Sequence, residues 1–389
     1  MWQSPPGPPP RPPPRNGTTP PRPSAPASSS STGLGPAPEA HAPQIGICPF
    51  AAIFPSVTFA DWIQLRPEGI YIVPGDFYLD PARPVPRAVI SHAHTDHARP
   101  GHQAVWATPA TIGIMQARFG TAATAQPNFL DWHQPADFGP VRVTLAPAGH
   151  VLGSAQIILD FAGQRAVYSG DYKLTPDPTC TAFEPIPCGL FITEATFGLP
   201  VFVHPPPEQE IAKLLRSLQL FPSRTHAIGV YALGKCQRLI RLLRETGYAA
   251  PIYLHGALQN LCHFYSAQGI ELGELRPATA AARAELAGAL VLAPPSALRE
   301  SWARRLTDPV IGFASGWMQV RQRARQQNAE LPLILSDHAD WPDLLRTIRE
   351  TRAGEVWVTH GQEDALIRQC TLDGIPARPL ALLRPEAEE

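Results

Sequence analysis

The stretch Ser91–Pro100, SHAHTDHARP, contains three histidines and an aspartate within six consecutive positions. His92 and His94 are two residues apart, so their side chains point to the same side of an extended segment. Asp96 and His97 follow in the turn and approach from another direction. Imidazole nitrogens with a carboxylate oxygen, and no thiolate, form a ligand set that zinc accepts. The stretch therefore predicts a metal site, against the alternative of a histidine-rich surface turn.

Polar side chains follow six apolar runs at the point where each run ends. The runs are often β-branched and are typical of buried strands. Functional groups in layered α/β proteins collect beyond the carboxyl ends of such strands, so we expect one convergent site. With the polar residues that follow them, the runs are RAVISHAH (87–94), RVTLAPAGH (142–150), AVYSGDY (166–172), LFITEATFG (190–198), LPLILSDHAD (331–340) and EVWVTHG (355–361).

The composition limits the possible functions and compartments. A formal net charge of −1 does not indicate a general polyanion binder, so nucleic-acid binding would require a local basic surface. The six cysteines form no C-x-x-C pair, which argues against a cysteine–zinc site and favours a reducing compartment. Neither a signal peptide nor a membrane span is predicted, so we expect a soluble, cytoplasmic protein.

The chain divides into four predicted regions. Residues 1–58 form a proline-rich extension that we expect to be disordered, since residues 1–44 contain fifteen prolines and almost no large apolar side chains. Residues 59–205 and 326–389 are interpreted as two parts of one α/β domain. Residues 206–325 are interpreted as a second α/β unit inserted between them, because a strand followed by a helix recurs there. These repeats are HAIGVYALGKCQRLIRLLRE (226–245), APIYLHGALQNLCHFYSAQG (250–269) and GALVLAPPSALRESWARRL (288–306).

HAHTDH (92–97), followed by AGHVLGSA (148–155) and YSGDYK (168–173), resembles the signature of the metallo-β-lactamase fold. The resemblance implies an αββα sandwich and two zinc ions, with manganese as an alternative. The implied ligands are His92, His94 and His150 for one ion, Asp96, His97 and His360 for the other, and Asp171 as a bridge between them.

Glu194 in TEATFG, His338 in SDHADW and His360 in VTHG resemble three additional motifs of the β-CASP group, the nucleic-acid-processing branch of that superfamily. YALGKCQ (231–237) resembles the start of its inserted domain, so the unit 206–325 is expected to be a β-CASP domain. The run from about residue 61 to 375 is similar to the bacterial ligase-associated DNA exonuclease family. That resemblance implies a DNA exonuclease that acts in repair beside an ATP-dependent DNA ligase and a helicase.

Four residues are expected to take part in the reaction. His338 is a suitable general acid for the departing 3′-oxygen if a carboxylate such as Glu194 holds its other ring nitrogen. A structural role is the alternative for His338. Asp96 is counted among the catalytic residues as well as the ligands, and the resemblance implies that Asp80 in FYLDP braces the ligand loop.

Lys173 and Lys235 are two of only three lysines in a chain with twenty-nine arginines, and both lie inside motifs. Lys173 is two residues beyond Asp171, and Lys235 stands where a strand turns into a helix, a place suited to phosphate. Both are candidate phosphate contacts, and a packing or solvated role is the alternative.

Three other functions remain open from the sequence. His360 resembles the histidine of the RNA-processing β-CASP members, so an RNA 3′-end-processing nuclease competes with the DNA exonuclease. A catalytically silent β-CASP scaffold is a second alternative, although no ligand is missing. A hydrolase of thioesters or lactams is a third, against which the inserted domain and His338 argue.

Overall fold

The computed structural model describes residues 57–383, so the predicted extension lies outside the described residues except for Val57 and Thr58. None of the helices in the described range is long and apolar enough to cross a membrane. The helices are α1 (Phe59–Trp62), α2 (Pro109–Phe119), α3 (Pro207–Leu220), α4 (Lys235–Glu245), α5 (Gly256–Ala267), α6 (Arg321–Gln326), α7 (Trp341–Thr351) and α8 (Glu363–Leu372).

The strands form three sheets, the first in the order β1-β2-β3-β4-β5-β6, the second β19-β18-β11-β10-β9-β8-β7 and the third β14-β13-β15-β12-β16-β17. The strands are β1 (Ile63–Arg66), β2 (Gly69–Ile72), β3 (Phe77–Leu79), β4 (Arg87–Val89), β5 (His102–Ala107), β6 (Thr124–Phe129), β7 (Ala136–Phe138), β8 (Val141–Pro147), β9 (Ala155–Phe161), β10 (Gln164–Tyr168), β11 (Leu190–Ala195), β12 (His226–Gly229), β13 (Ile252–Leu254), β14 (Leu275–Pro277), β15 (Leu290–Ala293), β16 (Val310–Ala314), β17 (Leu331–Leu333), β18 (Glu355–Gly361) and β19 (Ala377–Pro379).

The first and second sheets pack face to face. Phe77 and Val89 of the first sheet share a buried core with Ile157 and Trp357 of the second. Side chains of α2 pack on the outer side of the first sheet, and those of α7 and α8 pack on the outer side of the second. Apolar residues alternate between the two faces of each sheet, which therefore needs cover on both sides. The predicted αββα sandwich is confirmed.

The third sheet is entirely parallel and contains the inserted strand–helix repeats. β12 leads into α4 and β13 leads into α5, as predicted. The helix predicted after β15 is wrong, because two 3-10 turns, Ala297–Arg299 and Ser301–Arg305, replace it. Glu300 between them is extended (φ −90°, ψ 176°), and Arg305 instead donates hydrogen bonds to backbone oxygens of the 279–281 segment. Side-chain anchoring thus replaces continuous helical hydrogen bonding.

The third sheet ends later in the chain than the predicted boundary at residue 325. β17 lies beyond that boundary, yet it pairs in parallel with β16 at the edge of the third sheet. The sequence prediction places the apolar run LPLIL in the sandwich. A hydrophobic pattern indicates a buried strand but not which of two sheets that strand joins. The chain therefore returns to the sandwich through the residues that follow β17.

All six apolar runs of the sequence are strands, namely β4, β8, β10, β11, β17 and β18. β10, β11 and β18 are adjacent and parallel, so the polar residues after them lie along one edge of the second sheet. β4 and β8 deliver their loops to the same edge from the two sheets of the sandwich. The predicted convergence at strand ends therefore follows from the order of the strands.

Gly234 brings the third sheet into close contact with the sandwich. Its backbone conformation (φ 81°, ψ −69°) is one that glycine adopts readily and other residues avoid. A Cβ at this position would overlap Cγ1 of Val151, which is buried and follows His150 directly. The absent side chain therefore lets the start of α4 lie against the loop that contains His150.

We expect Gly234→Ala to lower the free energy of unfolding by about 2–5 kcal/mol, because backbone strain and overpacking against Val151 add. Gly247→Ala is the control, since Gly247 also has a positive φ (84°) but no atom within 4 Å of its added Cβ. It should cost about 1–2 kcal/mol, the conformational part alone. Urea denaturation measures both, and equal losses would contradict the close contact at Gly234.

Candidate metal centre

The loop after β4 holds His92, His94 and His97 close together. The backbone N–H groups of His97 and Ala98 donate to the backbone oxygen of His94, at 3.2 and 2.7 Å, and so form a tight turn. Ser91 anchors the start of the loop by accepting a hydrogen bond from the N–H of Ala155 at 2.8 Å. The turn brings the three imidazoles together, with the His92 ring centroid 5.0 Å from that of His94 and 4.2 Å from that of His97.

Three histidines and one aspartate surround the first candidate ion position. His94 Nδ1 lies 3.1 Å from His92 Nε2 and 2.9 Å from His150 Nε2. Asp171 Oδ2 lies 3.5 Å from His92 Nε2 and 3.7 Å from His150 Nε2. Four donors at about 2.0–2.1 Å from a tetrahedral ion are separated from one another by about 3.3 Å. The observed separations fit such an ion, so the donor set suits a divalent metal.

The surrounding protein decides which nitrogen each imidazole presents. His150 Nδ1 donates to the backbone oxygen of Asp337 at 2.7 Å, and His94 Nε2 donates to that of Leu233 at 3.2 Å. Ser91 gives its hydroxyl proton to Asp80, so it accepts from His92 Nδ1 at 3.0 Å. Each ring is thus held through one nitrogen and offers the other to the ion, the arrangement expected around a bound metal.

Burial keeps these ligands in the state that binds a cation. It lowers the pKa of His92 and His150 well below the usual range, and neighbouring imidazoles lower it further. Burial alone would raise the pKa of Asp171, but the surrounding histidines, His97 first, hold it well below its usual range. Neutral imidazoles around an ionised carboxylate are the protonation states that metal binding needs.

Asp171 reaches both candidate ion positions. Its Oδ1 lies 3.5 Å from His97 Nε2, while its Oδ2 faces His92 and His150. Gly170 (φ 54°) makes this placement possible, since a Cβ there would lie 2.7 Å from Cβ and Oγ of Ser91. A carboxylate between two groups of donors supplies the negative charge that a pair of divalent ions requires.

The second group of donors is more open than the first. Asp96 Oδ2 lies 3.9 Å from His97 Nε2, and its side chain is largely exposed. The His360 ring lies 5.2 Å from the His97 ring, between centroids, and His360 is also exposed. A positive φ of 58° turns His360 back toward the loop at the end of β18. These residues lie beside Asp171 without forming a closed set.

Asp80 braces the loop. Although its oxygens lie within ligand distance of His92 and His97, four hydrogen bonds occupy them. The donors are Ser91 N at 2.7 Å, Ser91 Oγ at 2.5 Å, His97 Nδ1 at 2.8 Å and Tyr168 OH at 3.0 Å. Burial favours neutral His97, but Asp171 and Asp80 outweigh it and raise the pKa of His97 to about 10.

His338, whose side chain is 24% exposed, pairs with the buried Glu194 beside the centre. His338 Nδ1 lies 2.9 Å from Glu194 Oε2 and 3.1 Å from Oε1, so Nε2 is the nitrogen left for a ligand. Glu194 is also fixed by the N–H of Tyr172 at 2.8 Å. Burial would lower the pKa of His338, but the carboxylates of Glu194 and Asp171 raise it to about 9. The imidazole therefore holds a proton at neutral pH.

A cavity of about 380 Å³ opens onto this centre. Its polar side contains the candidate ligands His94, Asp96, His150 and Asp171, with His338 beside them. Its apolar and aromatic lining comes largely from the loops of the third sheet, with Tyr231, Leu233 and Trp317, and from Phe197 of the sandwich. The cavity is thus bounded by both parts of the molecule.

A group of five charged side chains, here called the buried ion cluster, joins these two parts. Asp337 Oδ2 lies 2.9 Å from Lys235 Nζ, and Asp337 Oδ1 lies 3.1 Å from Arg238 Nη1. Asp177 Oδ2 lies 2.6 Å from Lys173 Nζ and 3.4 Å from Arg238 Nε. All five are at least 93% buried, and burial, with Arg238 nearby, lowers the pKa of Lys235 to about 8 although Asp337 opposes this.

The two lysines proposed as phosphate contacts are members of this cluster. Lys173 is 2% exposed and does not line the cavity, because its charge is taken up by Asp177. Lys235 does line the cavity, although its Nζ also donates to the backbone oxygen of Leu335 at 2.6 Å. The structure therefore favours a packing role for Lys173. Of the two lysines, only Lys235 lines the cavity.

The sequence interpretation missed Asp177, Arg238 and Asp337. The available signals were local, since Lys173 and Asp177 are four residues apart and Lys235 and Arg238 are three apart on α4. Such spacings usually indicate surface pairs, and sequence alone does not distinguish them from a buried cluster. Their importance comes from Asp337, whose backbone oxygen also holds His150.

Several known proteins are similar to parts of this chain. Residues 60–226 match the family model described as a beta-lactamase superfamily domain. A probable DNA ligase from Opitutus terrae is 31% identical over 311 residues, which are 77% of this chain and 29% of the ligase. The cleavage and polyadenylation specificity factor subunit 3 of Dictyostelium discoideum is 31% identical over 141 residues, 34% of this chain and 18% of that protein.

The endoribonuclease YSH1 of Saccharomyces cerevisiae is 31% identical over 121 residues, which are 30% of this chain and 15% of the yeast protein. This chain therefore spans less than a third of the length of each of these three relatives.

We expect Arg238→Ala to lower the free energy of unfolding by about 3–5 kcal/mol, since it removes a partner from two buried carboxylates. Arg238→Lys should restore part of this loss. Arg241→Ala on the same helix is the control, because Arg241 forms an i,i+4 pair with the half-exposed Glu245, and it should cost less than about 1 kcal/mol. Urea denaturation measures all three. Equal losses for both alanine variants would contradict a supporting role for the cluster.

Proposed function

Because this chain belongs to the metallo-β-lactamase superfamily and to its β-CASP group, we propose that it is a divalent-metal-dependent nuclease that hydrolyses phosphodiester bonds of DNA. The observation on which this rests is the hydrogen-bonded His338–Glu194 pair on the same cavity as the three-histidine, one-aspartate centre. One feature provides ligands for metal and the other provides a proton donor, and phosphodiester hydrolysis needs both.

The residues of the site divide the reaction between them. Two divalent ions, proposed to be zinc or manganese, supply an activated water and neutralise phosphate charge when they are bound. His92, His94, His150 and Asp171 would hold one ion, and Asp171, His97, Asp96 and His360 would hold the other. Asp80 fixes the orientation of His97 through Nδ1.

His338 is the proposed proton donor to the departing oxygen. Glu194 holds Nδ1 and raises the pKa of the ring, so Nε2 can give up a proton and recover one afterwards. Glu194 is 1% exposed, so water does not compete for its hydrogen bond to His338. Lys235, which lines the cavity, is the remaining candidate for a phosphate contact.

DNA is proposed as the substrate, and digestion from strand ends in DNA repair as the activity. The similarity to the Opitutus terrae probable DNA ligase extends over 77% of this chain and supports a partnership with a DNA ligase. The ATP dependence of that ligase and a helicase as a further partner are proposed from the sequence resemblance alone. RNA is the second candidate substrate. The position of His360 beside His97 and the similarity to the yeast endoribonuclease support it. The cytoplasm is the proposed compartment, in keeping with five free cysteines in the described range.

We expect the zinc- or manganese-loaded protein to degrade labelled DNA faster than RNA of the same sequence. Single- and double-stranded forms of each, labelled at either end, report the preferred sugar and whether digestion begins at an end. Faster turnover of RNA would replace DNA with the second candidate. If protein with two metals per chain cleaves neither nucleic acid, the nuclease proposal is wrong.

We expect His338→Ala to lower kcat by about 10²–10⁴-fold with unchanged metal content, because it removes a proton donor. Asp171→Ala should lose both metal and activity, because it removes the carboxylate between the two groups of donors. Metal analysis of the purified variants separates the two outcomes. His263→Ala is the control, since His263 is exposed on α5. Loss of metal from His338→Ala would make His338 a ligand.

A further inference from the structure

We propose that Tyr231, with Trp317 beside it, forms a stacking site for an unpaired nucleobase next to the phosphate at the metal centre. This inference rests on the proposed nuclease function and adds to it a binding site for one nucleotide of a single strand. It depends on the aromatic side of the 380 Å³ cavity, which no part of the proposed chemistry uses.

Tyr231 is a large aromatic side chain that lines the cavity and is nevertheless well exposed. Its exposed fraction is 59%, and of the ten large apolar or aromatic side chains that are well exposed between residues 57 and 383, it alone lines this cavity. An aromatic ring in water at the mouth of a cavity with polar ligands is typical of a binding site. The ring is therefore available to a ligand without displacing a protein contact from the core.

Two adjacent strands place the aromatic residues together. β12 and β16 are neighbours in the third sheet, with Gly229 in register with Phe313. Tyr231 comes two residues after the end of β12, and Trp317 comes three residues after the end of β16. Because parallel strands end at the same edge of a sheet, both side chains reach the cavity from one direction.

Trp317 is a rigid wall. Its ring centroid lies 4.7 Å from that of Phe197 and 5.2 Å from that of Phe202. The guanidinium carbon of Arg323 lies 3.9 Å from the Trp317 ring centroid. An aromatic side chain fixed by its neighbours loses little further entropy when a base packs against it. Tyr231 is then the exposed ring of the site and Trp317 the packed one.

A basic surface continues from this wall. α6 has the sequence RQRARQ, and its three arginines, Arg321, Arg323 and Arg325, are all exposed. Aromatic rings beside a basic surface are the combination with which proteins bind single-stranded nucleic acid without reading its sequence. The near-neutral chain thus has the local positive surface that such binding needs, although its net charge is −1.

The cavity has two chemically distinct sides, which match the two ends of a nucleotide. The metal ligands and Lys235 suit a phosphate, and Tyr231, Leu233 and Trp317 suit a base. Its volume of about 380 Å³ is near the lower limit of ordinary ligand pockets, about 300–1,000 Å³, and too small for a base pair with its backbones. The proposed occupant is therefore one unpaired base, as a single strand or a frayed end presents it.

The segment that contains Tyr231 contacts a candidate metal ligand. Leu233, two residues further on, accepts the hydrogen bond from His94 Nε2 through its backbone oxygen. The loop that contains Tyr231 is therefore fixed against a candidate ligand. A base on Tyr231 has a defined distance from the phosphate position, which gives the site a positioning role as well as an affinity.

The test compares Tyr231→Ala and Tyr231→Phe on a single-stranded oligonucleotide and on strands with one abasic site at each position flanking the scissile phosphate. We expect Tyr231→Ala to raise KM by about 5- to 100-fold on the intact strand with little change in kcat, and Tyr231→Phe to resemble the wild type. On the strand that lacks the stacked base, the wild type and Tyr231→Ala should have equal KM values.

Phe221→Ala is the matched control, since Phe221 is exposed at the end of α3 and does not line the cavity. Equal effects of Tyr231→Ala on intact and abasic strands, or no effect at all, would overturn the stacking site. Binding of the same strands, measured by fluorescence anisotropy, separates this proposal from the nuclease function. Binding that depends on Tyr231, without cleavage, would support the stacking site and contradict the nuclease function. Cleavage that does not depend on Tyr231 would support the nuclease function and contradict the stacking site.

Discussion

Asp337 joins the candidate metal centre to the rest of the molecule through two different groups. Its backbone oxygen accepts the hydrogen bond from His150 Nδ1 and so fixes which nitrogen that ring presents. Its carboxylate is paired with Lys235 and Arg238 at the start of α4. One residue therefore links a ligand of the sandwich to a helix of the third sheet. His338 follows it directly in the chain, so the proposed proton donor depends on the same position.

The buried ion cluster is a costly way to join two parts of a protein. Charged side chains lose their hydration when they are buried, and their attraction repays this only when the geometry satisfies every partner. The pKa of Asp337 falls well below its usual range because its cationic neighbours outweigh the effect of burial. Apolar side chains would pack as tightly at lower cost, but they would tolerate small shifts. A network of directed ion pairs favours one position and orientation of α4 against the sandwich. The positions of His150 and Leu233 depend on that placement.

The cavity inherits its two-sided chemistry from this arrangement. The sandwich provides imidazoles and carboxylates from loops at its strand ends, and the third sheet provides Tyr231 and Trp317 from its own strand ends. Gly234 permits the close approach because a side chain there would overlap Val151. The residues proposed to bind phosphate and base thus line one cavity, because strand ends of the sandwich and of the parallel third sheet meet there.

The sequence by itself indicated the candidate metal ligands and the strands before them, and its resemblance to a known family implied the αββα sandwich. His92, His94, Asp96 and His97 are close in the chain, so their meeting needs only a turn. The companions His150, Asp171, Glu194 and His338 were identifiable because each follows an apolar run, a signal that is also local. The structure confirms the sandwich, whose two sheets share one buried core.

Only the tertiary structure decided what surrounds those ligands. In the structure β17 belongs to the third sheet, and 3-10 turns stand where a helix was predicted after β15. Lys173 is paired with Asp177 inside the protein. The tertiary structure also brought Tyr231 and Trp317, 86 residues apart in the chain, to one cavity. These outcomes depend on which sheet a strand joins and on charges buried between distant segments. Both are settled by packing and desolvation across the whole fold, and neither leaves a periodic or local pattern in the sequence.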